Sequence, residues 1–110
     1  MYIMITVLKK ENQIKKLISI LLELGLFDST VLDGEGIENV AALTMPVFSE
    51  LRDLFGQESE YHKTVITYVP DRRDIDTFVS ICREEGIDFK SEKTGFILVF
   101  PCEIYIGPQE

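Results

Sequence analysis

Two stretches of this 110-residue chain follow one plan, and that repetition limits the folds open to it more than any other feature. The first stretch opens with an apolar strand from Tyr2 to Leu8 and continues with a helix from Glu11 to Leu24. Along that helix Ile14, Leu17, Ile18, Leu21 and Leu22 recur at helical spacing. Gly25 stops the helix, Leu26 follows, and a short strand runs from Ser29 to Leu32. The second stretch begins with a strand from His62 to Val69, ended by Pro70. Asp71 and Asp74 have the spacing of a helix start, and Ile75, Phe78, Val79 and Cys82 form the stripe of the next helix. Gly86 stops it, Ile87 follows, and a last main strand runs from Gly95 to Phe100, ended by Pro101. In both halves a glycine just past the helix and then an apolar residue is the pattern of a Schellman stop. Glu103 to Ile106 reads as a short closing strand.

Two strand–helix–strand units predict an α+β, ferredoxin-like (βαβ-βαβ) fold, with a four-stranded antiparallel sheet and two helices on one face. The strands add a constraint. Ile3, Ile5 and Val7 fall on one side of the first strand, and Met4, Thr6 and Leu8 on the other, so both sides are apolar. A strand with one wet face alternates apolar with polar residues. The helix-free face therefore needs its own cover, and a closed oligomer supplies one.

The chain is read as one domain, residues 1–110, with a central insert at about 34–61. Asp33-Gly34-Glu35-Gly36 reads as a turn into it, with no helix opening directly after. The plain role of these glycines is a tight turn or bulge. The functional alternative is close backbone approach to a ligand. Pro46 fits the first turn of a helix, and Val47, Phe48, Leu51, Leu54 and Phe55 recur at helical spacing up to Gly56. This 46–55 helix is expected either to cover a subunit or to dock a partner through Phe48, Leu51, Leu54 and Phe55.

Charge and composition narrow the function. A net charge of −8 opposes a phosphate backbone, so no nucleic-acid partner is expected. No apolar run is long enough to insert in a membrane, and a cytoplasmic location is expected. Cys82 and Cys102 are read as buried free thiols. His62, the only histidine, has no nearby partners of metal-ligating type, so no metal is expected. No catalytic residues are assigned, because no nucleophile-and-base spacing occurs. Lys63, His62 and Glu92 are the only acid/base groups to which an enzyme reading could turn. Lys90, Lys93, Thr94 and Gly95 make a basic turn, either simply solvated or in contact with phosphate.

At this point the chain resembles the PII family of signalling proteins, as a divergent member with a shortened central loop. The resemblance spans about residues 2 to 106. It rests on the two strand–helix–strand halves, on Thr30-Val31 leading to a glycine turn, on Val69-Pro70-Asp71, and on Thr94-Gly95-Phe96-Ile97-Leu98-Val99-Phe100-Pro101. It implies a homotrimer with its sheets facing inward, acting in signal transduction such as nitrogen regulation on an unknown regulated protein. It also implies a ligand cleft between subunits. Lining that cleft would be Thr30, Gly34 and Gly36 at the glycine turn, His62 and Lys63 at the base of the central loop, and Lys90, Lys93, Thr94 and Gly95 before the last strand. The family's ligand there is an adenine nucleotide. Phe96 stands where the family's phosphate turn has a lysine, and Tyr105 and Ile106 stand where it has an arginine pair. ATP in the familiar mode is therefore not expected; an AMP-like ligand, another small molecule, or none stays open. The expected function is non-enzymatic sensing of a small molecule, relayed through the central loop. The alternative is a scaffolding trimer that binds only protein through the 46–55 helix.

Overall fold

The structure is a computed structural model that describes residues 1–48 and 62–108. Among the described residues seven main elements follow one another: β1 (Tyr2–Leu8), α1 (Ile14–Glu23), β2 (Ser29–Gly34), α2 (Ile37–Thr44), β3 (His62–Val69), α3 (Arg72–Glu84) and β4 (Gly95–Pro101). The strands form one antiparallel sheet in the order β2-β3-β1-β4. This is the expected ferredoxin-like fold, with a third helix in the insert.

Both glycine stops are Schellman motifs. Gly25 has φ +76°, with Leu26 N–H donating to Leu21 C=O at 3.0 Å and Gly25 N–H to Leu22 C=O at 3.1 Å. Gly86 has φ +90°, with Ile87 N–H donating to Cys82 C=O at 2.7 Å and Gly86 N–H to Arg83 C=O at 3.1 Å. These bonds satisfy carbonyls that a helix end leaves unpaired. The apolar residue that follows each glycine, Leu26 or Ile87, is buried in the core. Asp71 caps α3, its carboxylate accepting from Arg73 N–H at 2.9 Å and from the Arg73 guanidinium at 2.7 and 3.1 Å. That guanidinium holds the Asp71 carboxyl below its ordinary range. The two helices are also tied end to end. Gln13, in the 3-10 turn before α1, donates to Gly86 C=O, and Lys16 donates to Glu85 C=O.

The core lies between the helices and one face of the sheet. Met4, Leu8, Val65 and Val69 from the two central strands meet Leu17, Ile20 and Leu21 of α1 and Ile75, Phe78 and Cys82 of α3. Each fully buried side chain of this kind stabilises the fold by about 1.5–3 kcal/mol. The α1 stripe differs from expectation by one position. Ile20 points into the core, while Leu22 is exposed. The inward face is centred on Leu17 and Leu21, and at about 100° per residue Leu22 is carried off it while Ile20 is brought to its edge.

The other face is the second apolar set of each strand. Register places Ile3, Ile5 and Val7 of β1 beside Tyr68, Ile66 and Thr64 of β3, and beside Phe100, Leu98 and Phe96 of β4. Leu32 and Thr30 of β2 extend the same face. Ile66 is 39% exposed, Leu98 46% and Leu32 45%.

The chain after β4 does not form the expected closing strand. Cys102 N–H donates to Met1 C=O, and the Tyr105 ring then stacks on Tyr68 with centroids 3.9 Å apart. The Tyr105 hydroxyl donates to Asp28. Stacking across the sheet end replaces a fifth strand because Ile104 and Ile106 find no core and stay exposed. Cys82 is buried as expected, whereas Cys102 is partly exposed.

Candidate functional site

At one end of the sheet, β2 and β1 finish while β3 and β4 begin. Gly34 pairs with His62, Asp33 with Lys63, and Leu8 with both Lys63 and Gly95. Beyond the ladder, Lys9 N–H donates to Thr94 C=O at 2.9 Å. The register thus gathers Gly34, His62, Lys63, Thr94 and Gly95 along one edge, with Gly36 two residues past the end of β2. The insert leaves the sheet from this edge and returns to it.

The glycines here differ in what they do. The expected turn at Asp33–Gly36 is instead the end of β2 followed by a helix. Asp33 and Gly34 are paired in the ladder, and α2 opens directly after Gly36. Gly36 is the N-cap residue, with φ −66° and ψ 144°. Neither Gly34 nor Gly36 has a positive φ. A Cβ on Gly34 would lie 3.5 Å from the His62 carbonyl, an ordinary contact. Gly95 is different. Its φ is +138°, and a Cβ there would fall 1.8 Å from the Val7 carbonyl oxygen. Glycine is obligatory at that position for the β1–β4 approach. Two residues earlier, Lys93 has φ +66°, so the turn before β4 is tightly wound. Thr94 is buried, and its carbonyl anchors β1.

His62 is partly buried at this edge. Desolvation pushes its pKa down, Lys9 pushes it further, and Glu38 of α2 opposes them. It is therefore held neutral near pH 7 and can accept or donate one hydrogen bond. The Lys63 ammonium pairs with Asp33 across β2 and β3. Lys9 is an addition to this edge that the sequence did not single out, whereas Glu38 is one of the acids that flank the glycine turn. Only the strand register and α2 bring them beside His62.

Two expected residues lie elsewhere. Thr30 is four residues back along β2, opposite Ile66. It lines a cavity of about 410 Å³ with Phe27, Asp28, Tyr68 and Tyr105. Lys90 lines a separate cavity beside α3 and β4.

The insert carries α2, which the sequence reading missed. This helix buries its small, polar side and exposes its apolar one. Asn39 and Ala42 are buried, with Asn39 Oδ1 lacking a hydrogen-bond partner among the described residues. Ile37, Val40 and Leu43 are 80%, 40% and 57% exposed. The 3-10 turn Pro46–Phe48 follows. Leu51, Leu54 and Phe55, the rest of the expected partner-binding helix, lie outside the described residues. Among the described residues no group of three or more His, Cys, Asp or Glu side chains could hold a metal ion. Among them, too, no helix is long and apolar enough to cross a membrane.

No family model matches this sequence, and no curated protein matches it. Solved structures do match. Arabidopsis thaliana PII bound to citrate superposes with a TM-score of 0.55, covering 92% of this chain and 76% of that one at 20% identity. The shared fold is the PII-like ferredoxin arrangement.

Proposed function

We propose that this chain is a non-catalytic, PII-like regulatory protein that acts as a homotrimer. It senses a small molecule at the sheet edge formed by Gly34, Gly36, His62, Lys63, Lys93, Thr94 and Gly95, and it signals through the insert to a regulated protein. The observation that carries this reading is the register. One sheet edge holds the glycine-rich end of β2, the histidine and lysine that open β3, and the tight turn before β4. The insert is rooted in the same edge, so a ligand there changes the balance between insert conformations. The exposed sheet face, with Ile66, Leu98 and Phe100, is the surface through which three copies associate.

An AMP-like nucleotide is one candidate ligand. The Arabidopsis PII structure is a complex with citrate, which makes small carboxylates a second class to try. The test is a thermal-melting panel of AMP, ADP, ATP, citrate and other central metabolites. A ligand at a hundred times its Kd adds about 2.7 kcal/mol of stability, which raises Tm by several degrees in a chain of this size. A panel that leaves Tm unchanged removes the sensing role. It leaves the scaffolding trimer, which the outward Ile37–Val40–Leu43 stripe of α2 favours independently as a protein-docking surface.

A further inference from the structure

The cavity beside α3 and β4 is distinct from the sheet-edge site. Its volume is about 320 Å³, within the range of small-molecule pockets. Val79, Ile87, Phe89 and Ile97 supply an apolar lining, while Arg83 and Lys90 supply two cationic groups. Neither cation makes an ion pair among the described residues, in a chain whose net charge is −8. The one lining carboxylate, Asp88, is engaged in the loop itself. Its Oδ1 accepts from Lys90 N–H at 3.0 Å, and Ser91 N–H donates to Asp88 C=O at 3.0 Å. This Asx-type turn fixes the backbone from which Lys90 projects. Ile87 is held in the core by the Schellman stop of α3, so the apolar floor is rigid.

We infer that this cavity is a binding site for a small amphipathic anion: a carboxylate carried on an apolar or aromatic body. The apolar part would lie against Phe89, Ile87 and Ile97. The carboxylate would meet the Arg83 fork, which matches it bidentately, with Lys90 as a second positive charge. A neutral analogue loses both charge-assisted contacts and leaves the two cations as they are.

The test is titration of the ¹⁵N-labelled protein with phenylacetate and with its neutral isostere, phenylacetamide. The expected result is saturable shifts at Ile87, Phe89 and Ile97 with the carboxylate and none with the amide. Arg83→Ala should weaken phenylacetate binding by roughly tenfold or more, the usual loss for a charge-assisted bond. Arg83→Lys should recover part of it. Lys90→Ala should weaken binding by a smaller factor and leave Tm unchanged. Should Arg83→Ala unfold the chain, raising the salt concentration on the native protein serves instead: affinity for the anion falls as screening grows. Equal shifts with the amide, shifts confined to the Gly34–His62 edge, or an Arg83→Ala variant that melts differently but binds equally would each overturn the assignment.

Discussion

The two faces of the sheet carry almost the same residue types and meet different fates. On one, Met4, Leu8, Val65 and Val69 are sealed beneath α1 and α3. On the other, Ile66, Phe96, Leu98 and Phe100 remain exposed. Burial, not hydrophobicity, separates them. Apolar character therefore shows how many surfaces need cover, and topology shows how many of them the chain covers by itself.

Substitution in the core that seals the covered face should cost most. Phe78→Ala removes a fully buried ring, and urea unfolding should show a loss of about 3–5 kcal/mol, the same at every protein concentration. Phe100→Ala on the exposed face should instead give a loss that grows or shrinks with protein concentration, because in the proposed trimer the residue is buried only by a partner copy. A concentration-independent effect at Phe100 would break the contrast.

The glycines at the site edge sharpen it next. Gly95→Ala should cost roughly 3 kcal/mol, since a Cβ has no space against Val7 and the backbone is in a glycine region. Gly34→Ala should stay within about 1 kcal/mol. If Gly34→Ala abolishes ligand response while leaving stability intact, the sensing role of that edge is supported.

Titration effects come after these. The His62 pKa is lower in the folded protein than in the unfolded chain, mainly through burial. Its contribution is thus fully present above about pH 6.5, the ordinary histidine value, and is lost as pH falls through the lower folded value. His62→Gln should flatten the melting profile over that window. The smallest expected effect is at the thiols. Burial pushes Cys82 up to about 12, so a thiol reagent should modify Cys102 alone in the native protein and both cysteines after unfolding.

Much of the fold was legible in local chemistry. Gly25-Leu26 and Gly86-Ile87 stop helices through bonds that span only five residues, and Asp71 caps α3 through a residue two positions on. What was missed depends on distant partners or on missing signals. The α2 helix has Gly36 at its N-cap with no side-chain capping bond, so the sequence offers no start signal, and its apolar stripe faces outward. Tyr105 and Ile106 alternate as a strand would, yet Tyr105 is placed by a ring 37 residues earlier and by Asp28. At the candidate site, Gly34, His62, Lys63, Thr94 and Gly95 were legible and converge on one edge. Thr30 and Lys90 do not join them, because their positions follow from strand length and loop path and not from residue type.

The exposed face gives the account its most direct test, by sedimentation equilibrium of the native chain. With a protomer mass of 12.6 kDa, the prediction is a species of three protomers, converted to smaller ones by Leu98→Asp without loss of secondary structure. A stable monomer of native protein, with Ile66, Leu98 and Phe100 left in water, would contradict it.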